Sequence, residues 1–342
     1  MQTLCSVPAK LILSGEHAVI YNCPALSMAV KLYTQVKCGF KPSKTHSVTI
    51  ELTDFKQKHC LPNRVWQNLA MGIESRYQLF LNNSAAIQSV LCQPVDLIIA
   101  TLHHFDHFHN LKQGEWTFKI HSEVPVGRGL GSSAAVIVGL LSNLINHHDL
   151  DINNETLLAM ARKIESRQHG QSSGIDPATI IYGGLLQFHS KYTTKQHKAH
   201  EFKGWLIDTG SPESTTGQAV AHVSQHFSKD KEIWKQFENT TQEIIQAWSH
   251  QNTQALYKGI RQNQALLEQI GVVPDEVKTF IKQLSTDYQA VAKVCGSGST
   301  KGNHAGILLC FSEQEPTALC AKYGYSCQAI SVAHQGALCQ VL

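Results

Sequence analysis

The sequence offers little that would tie it to a membrane, a nucleic acid or an oxidising compartment. No run of about 18 apolar residues is present to span a bilayer. Met1-Gln2-Thr3-Leu4 has no basic n-region, and the apolar stretch behind it is broken by Lys10 and Glu16, which argues against a secretory signal. Charged residues make up only 16% of the chain, and Lys plus Arg (29) exceed Asp plus Glu (26) by three. The basic residues are scattered, so no concentrated field points to nucleic acid or an anionic surface. The ten cysteines include no CxxC pair and mostly sit in apolar stretches such as Ile307–Phe311, so they read as reduced, buried small hydrophobes. Internal repeats, heptads and low-complexity tracts are also missing. These absences leave a protein of the reducing cytoplasm whose partner is a small molecule, with no nucleic acid and no membrane.

The 342 residues suffice for about two domains. Leu4 to Leu13, Ala25 to Val36 and Val48 to Leu52 read as strands, and helical spacing follows from Asn63 to Leu81 and from Gln93 to Phe105. An extended stretch at Trp116 to His121 precedes a glycine loop and a long apolar helix reaching about Ile145. A further helix is expected over Glu155 to His169, then a turn-rich segment from Ser172 to Gly184 and a strand at Leu185 to Phe188. The second half alternates a strand at Trp205 to Asp208 with helices near 216–227, 231–248, 253–270 and 274–284. Short strands around 290–294, 305–311 and 327–331 complete it. The expectation is an α+β chain of two domains, residues 1–184 and 185–342.

Chemistry concentrates in the stretch from Val124 to Ala135, where Gly127, Gly129 and Gly131 precede a helix. Glycines let backbone amides approach an anion without Cβ obstruction, and the helix N-terminus adds partial positive charge. The arrangement is a phosphate cradle in form. It is neither GxxxxGK[ST], since Ser132 and Ser133 follow the last glycine, nor GxGxxG.

The string PxGxGLGSSAA from Pro125 to Ala135 resembles the second motif of the GHMP kinase superfamily. Pro8-Ala9-Lys10-Leu11-Ile12-Leu13-Ser14-Gly15-Glu16-His17-Ala18-Val19-Ile20-Tyr21, continuing into Pro24-Ala25-Leu26-Ser27, is similar to the first motif in its mevalonate kinase form. Ser173-Gly174-Ile175-Asp176-Pro177-Ala178 and Tyr182-Gly183-Gly184 correspond to SGVDNA and YGG of that branch. Two departures stand out. Pro177 replaces the usual Asn, and Gly296 to Gly306 is a longer, more polar loop than the compact GAGxGG of the third motif.

The resemblance implies a two-domain GHMP fold with ATP between the domains, held by Pro125, Gly127, Gly129, Leu130, Gly131, Ser132, Ser133 and Ala134. It implies Mg²⁺ on Ser133 and Glu165, Asp176 orienting or accepting the acceptor-hydroxyl proton, and Lys10 lowering that hydroxyl's pKa and steadying the transferring phosphoryl group. Lys10, Glu16, His17 and Asp176 would meet the substrate. Each position has a plainer alternative: a helix cap for Ser133, a solvated helix face for Glu165, and an ordinary hydrogen-bonding role for His17. For Asp176 the alternative is a turn or the cap of a helix beginning at Pro177. A buried Lys10 needs a partner, and Asp176 would supply one.

The expected activity is transfer of phosphoryl from ATP to the primary hydroxyl of mevalonate, giving 5-phosphomevalonate and ADP in isoprenoid precursor synthesis. A phosphomevalonate kinase and a non-catalytic nucleotide-binding regulator are the alternatives, and a homodimer is compatible with the sequence. His103, His104, His107 and His109 invite a metal reading because His103 and His107 share a helix face. In a chain with 19 histidines, packed or solvated rings are the expectation.

Overall fold

The computed structural model describes residues 1–189 and 194–342. Strands β1 (Gln2–Ser14), β2 (Ala25–Pro42), β3 (Ser47–Leu52) and β4 (Gln57–Pro62) open the chain, followed by helices α1 (Asn63–Leu81) and α2 (Pro94–His109). Strand β5 (Gly114–Ser122) leads through the glycine loop into α3 (Ser132–His147), α4 (Asn154–His169) and α5 (Ile175–Tyr182). Next come β6 (Leu185–Phe188), β7 (Thr194–His197) and β8 (Gly204–Asp208), then α6 (Thr216–Phe227), α7 (Lys231–Ser249), α8 (Thr253–Gln269) and α9 (Asp275–Tyr288). The chain finishes with β9 (Val291–Cys295), β10 (Ile307–Phe311), α10 (Thr317–Tyr323), β11 (Ser326–Ile330) and β12 (Leu338–Val341).

The first sheet has eight strands, ordered β12-β1-β2-β5-β3-β4, with β6 and β7 attached through β2. The second has four, ordered β11-β8-β10-β9. Pairing within the first sheet is antiparallel except between β3 and β5. The sheets change over after β7, and β12 returns to the first. Leu185–Phe188, read from the sequence as opening the second half, pairs with Ala25–Met28 of β2.

One core lies between the first sheet and α1 to α5 and includes Trp66, Phe105, Trp116 and Leu140. A second joins the other face of that sheet to the second half, where Leu11, Leu13 and Met28 meet Trp248, Ile260 and Leu309. A third packs α9 beneath the second sheet through Phe280 and Leu308.

Strand β1 belongs to two of these cores because its register slips between Pro8 and Ala9. Cys5 and Val7 point into the helix-side core, whereas Ala9, Leu11 and Leu13 point into the other. Strict alternation would have put Lys10 opposite Cys5 and Val7, away from the helices. The slip turns it towards them.

Most helices expected from apolar spacing form with their ends near the expected places, and several are fixed by side-chain caps. Asn153, Thr215, Asp230 and Asn252 each accept a backbone amide of the following first turn. Four described elements were not expected: β4, β7, α10 and β12. All four are short, β4 and β7 are mostly polar, and β4 and β12 lie at sheet edges, where one-sided pairing demands little hydrophobic alternation. The turn-rich segment 172–184 also contains α5, whose eight residues are too few to show a helical period.

Candidate active site

Lys10 is 3% exposed, and its Nζ lies 2.7 Å from Asp176 Oδ1. The strand slip aims the lysine, and the start of α5 aims the aspartate. Gly174, at φ 86°, is the N-cap of that helix, and Asp176 sits within its first turn. The capping alternative for Asp176 does not describe the structure, since the helix begins at Ile175 and takes no side-chain cap. The Asp176 carboxylate is left for Lys10 and remains partly open, with its side chain 26% exposed.

The glycine loop closes over the same lysine. The Lys10 amide donates to Leu130 O at 3.0 Å, tying β1 to the loop. Gly127, Gly129 and Gly131 all have φ between 73° and 79°, the left-handed region that glycine occupies without strain. At Gly131 space is limiting as well, because a Cβ there would come within 2.9 Å of Lys10 Cγ and 3.2 Å of Ile180 Cδ1. Ser132 and Ser133 begin α3, but neither caps it, since Gly131 is the N-cap. The cap alternative for Ser133 therefore does not hold. Pro125 and Leu130 flank the turn, with Leu130 buried in the core shared by both halves, and Ala134 is buried in the helix-side core.

Glu165 is a buried residue of α4, so its solvated-face alternative does not hold either. Ser172 Oγ donates to its carboxylate in a short contact. Burial, reinforced by the negative charge of Asp176, pushes the Glu165 pKa up to about 8. Two carboxyl groups thus share a site in which Lys10 is paired with one of them, and the other, Glu165, is mostly protonated near pH 7 until a hard cation favours its ionised form.

Glu16 and His17 lie in the turn before a short 3-10 segment at Ala18–Tyr21. Glu16 is buried against Lys293 of β9 in a short ion pair. Burial raises its pKa, and the Lys293 charge opposes that rise. His17 is 1% exposed, with Nε2 3.1 Å from Ser297 O and Nδ1 without a protein partner. Burial lowers its pKa to about 4, so the ring is neutral near pH 7.

The polar loop 296–306 belongs to this site. A Cβ on Gly129 would lie 3.3 Å from Cys295 O, and one on Gly296, at φ 96°, would lie 3.6 Å from Gly129 Cα. Two glycine turns, one from each half, therefore meet backbone to backbone. Arg128 crosses the same seam, pairing with Asp208 at 3.0 Å and donating to Ser211.

Sequence reasoning missed Ser172, Lys293 and Ser297. Lys293 was detectable as one charge inside the apolar run Val291-Ala292-Lys293-Val294-Cys295, the same setting that made Lys10 need a partner. Ser172 and Ser297 carry no local signal. The histidine segment lies elsewhere: His103, His104 and His107 line a surface cavity of about 460 Å³ with Glu74, Lys163 and Arg167. No group of three or more His, Cys, Asp or Glu side chains able to hold a metal occurs among the described residues.

A three-glycine loop opening a helix, a Lys–Asp pair beside it and a buried carboxylate on the next helix define a small-molecule phosphotransferase rather than a P-loop protein. Residues 96–184 match the family described as GHMP kinases N terminal domain. The chain belongs to the GHMP kinase superfamily.

Within that superfamily its similarity is to mevalonate kinases. That of Pyrococcus abyssi is 27% identical over 304 residues, covering 86% of this chain and 85% of the relative. That of Thermococcus sibiricus is 31% identical over 233 residues, covering 68% and 65%. The crystal structure of the Methanococcus jannaschii mevalonate kinase shares the fold, with a TM-score of 0.77 at 19% identity over 96% of this chain and 98% of that one. No described helix is long and apolar enough to cross a membrane.

Proposed function

We infer that the protein is a mevalonate kinase, transferring the γ-phosphoryl group of ATP to the primary hydroxyl of mevalonate to give 5-phosphomevalonate and ADP. The observation that carries this reading is the 2.7 Å Lys10–Asp176 pair set against the three-glycine loop. Phosphoryl transfer needs little covalent help from protein groups, so positioning and charge neutralisation are the main tasks. The loop from Pro125 to Ala134 is assigned to the nucleotide phosphates. ATP then lies in the seam between the two glycine turns, where the first sheet with its helices meets the second.

The acceptor hydroxyl is assigned to Asp176. Its carboxylate orients the hydroxyl and takes its proton as the bond to phosphorus forms, while the Lys10 ammonium lowers the hydroxyl's pKa and balances charge on the transferring group. His17, neutral and with Nδ1 unpartnered, is assigned to a polar group of the substrate. Glu16, tied to Lys293, supports the turn that presents His17. Ser133 and Glu165 fit a Mg²⁺ ion, since neither serves as a cap or a solvated charge and a hard cation would favour the ionised form of Glu165. When bound, the metal would neutralise phosphate charge.

The regulator alternative is disfavoured because a protein that only binds nucleotide has no use for the partly open Lys10–Asp176 pair. Phosphomevalonate is disfavoured because the mevalonate-type GEH turn is kept and the curated relatives carry the mevalonate kinase name. A cytoplasmic setting accords with the cysteines, none of which is in a disulfide. The test is ADP release with mevalonate, phosphomevalonate, diphosphomevalonate, homoserine and galactose in parallel. Mevalonate is expected to give the highest kcat/KM. A higher value with phosphomevalonate would overturn the substrate, and ATP binding without any acceptor-dependent ADP release would overturn the enzyme.

A further inference from the structure

Lys293 is fully buried in an apolar strand, yet every donor of its ammonium is engaged. Nζ donates to Ile12 O at 3.0 Å, to Val294 O at 2.6 Å and to Glu16 Oε1. Strand β9 is an edge strand whose strand partner is β10, and its open side faces β1. The lysine therefore spans from one sheet to the other. It takes hold of β1 at Ile12, where the β1–β2 register slips a second time. Ile12 points to the same side of β1 as Lys10.

A buried ammonium and carboxylate are costly to desolvate and are a weak source of net stability. Their use here is better sought in what they align. Below Lys293 the strand ends at Cys295, whose carbonyl and the following Gly296 contact Gly129 of the phosphate loop. One residue further on, Ser297 O is the partner of His17. Glu16, the counter-ion, is the residue before His17. One side chain thus joins the Lys10 strand, the His17 turn and the root of the Gly296 loop.

We infer that Lys293 is a positioning residue for phosphoryl transfer, a strut between the sheets that acts through Glu16 and touches no reacting atom. The inference rests on the kinase reading above. The charged groups that act on Glu16 are Lys293 from β9 and Lys10 from β1. Cys295 on β9 is held neutral by burial. Polar groups from the helices packed on this region are uncharged: Thr241 of α7 and Asn263 of α8 bond Ser14, and Gln264 of α8 bonds the Val294 amide. Without Lys293, Glu16 loses the main charge that opposes the rise burial imposes on its pKa.

The experiment compares wild type, Lys293→Met and Lys293→Arg for folding by circular dichroism, ATP affinity by calorimetry, and kcat and KM from pH 6 to 9. Folded Lys293→Met is expected to bind ATP about tenfold more weakly. Its kcat per folded molecule should fall about 10- to 100-fold, the size expected when reacting groups shift by about 1 Å, and should stay low towards pH 9, because ionising Glu16 does not restore the bridge. Lys293→Arg, which keeps the charge, should regain much of the activity.

A merely structural lysine would leave the activity proportional to the folded fraction, which overturns the inference, as would wild-type ATP affinity in folded Lys293→Met. Should Lys293→Met not fold, the double variant Glu16→Gln with Lys293→Met removes both buried charges. Wild-type kcat and ATP affinity in it would overturn the strut, and loss of both in a folded protein would support it. Failure of the wild type to turn over mevalonate overturns the kinase reading alone, since ATP affinity still tests the strut.

Discussion

Two lysine–carboxylate pairs stand on either side of β1, and they differ in one respect. The Lys10–Asp176 pair keeps a face towards solvent, with the Asp176 side chain 26% exposed, whereas Glu16 and Lys293 are 1% and 0% exposed. An open pair has room to meet a hydroxyl and exchange a proton with it. A closed pair can only fix the distance between the elements that carry it. Similar chemistry therefore serves reaction in one place and alignment in the other, and exposure decides which.

The sharpest way to break this comparison is at the open pair. Asp176→Asn keeps size and removes charge, so kcat should fall by about 10²-fold or more while ATP affinity barely changes. The substitution leaves buried Lys10 with a neutral partner, so some loss of melting temperature is expected and the rate per folded molecule decides. A destabilised variant with normal single-turnover rate in its folded fraction would sink the catalytic assignment.

Gly131→Val tests the loop that leans on Lys10. Its side chain would need a left-handed backbone and would press on Lys10 and Ile180, so calorimetry should find ATP binding abolished in a protein that still folds. Unchanged ATP affinity would remove the loop from the nucleotide site. Lys10→Met should lower kcat and also raise the KM for ATP, a combination that Asp176→Asn should not share. Equal profiles for the two variants would mean that the pair acts as one group.

The smallest effect concerns stability at the closed side. The His17 pKa is held at about 4 by burial, against about 6.5 for an unfolded histidine. Between those values the unfolded chain binds a proton that the folded protein does not, so stability falls as pH drops from 6.5 to 4 and levels off below. The loss attributable to His17 is at most about 3 kcal/mol. His104, also held at about 4, adds a slope of the same sign, so the readout is the difference between wild type and His17→Gln in urea titrations. A variant with the wild-type slope would mean that folding does not depress the His17 pKa.

Long helices such as α1 and α6 were legible because 12 to 19 residues carry enough apolar repeats to fix both face and ends. The glycine loop was legible for a different reason, in that its conformation needs a residue type seen directly in the sequence. Helix α5 was read only as an alternative beginning at Pro177, two residues late, because its start depends on Gly174 in a left-handed conformation rather than on a periodic pattern. The resemblance placed Lys10 and Asp176 in one site, but the side of β1 that Lys10 faces follows from the slip between Pro8 and Ala9, which pairing with β2 sets.

By itself, then, the sequence determined the class of chemistry. A glycine loop before a helix, a lone lysine in an apolar strand and an aspartate in a glycine turn restrict what backbone and charge can do wherever the chain folds. Only the tertiary structure decided which residue serves which purpose. Glu16 and Asp176 carry the same functional group, and each has a lysine within reach. Packing of β9 against β1 sealed one pair away from water, while α5 left the other open, and neither contact is encoded within any single segment.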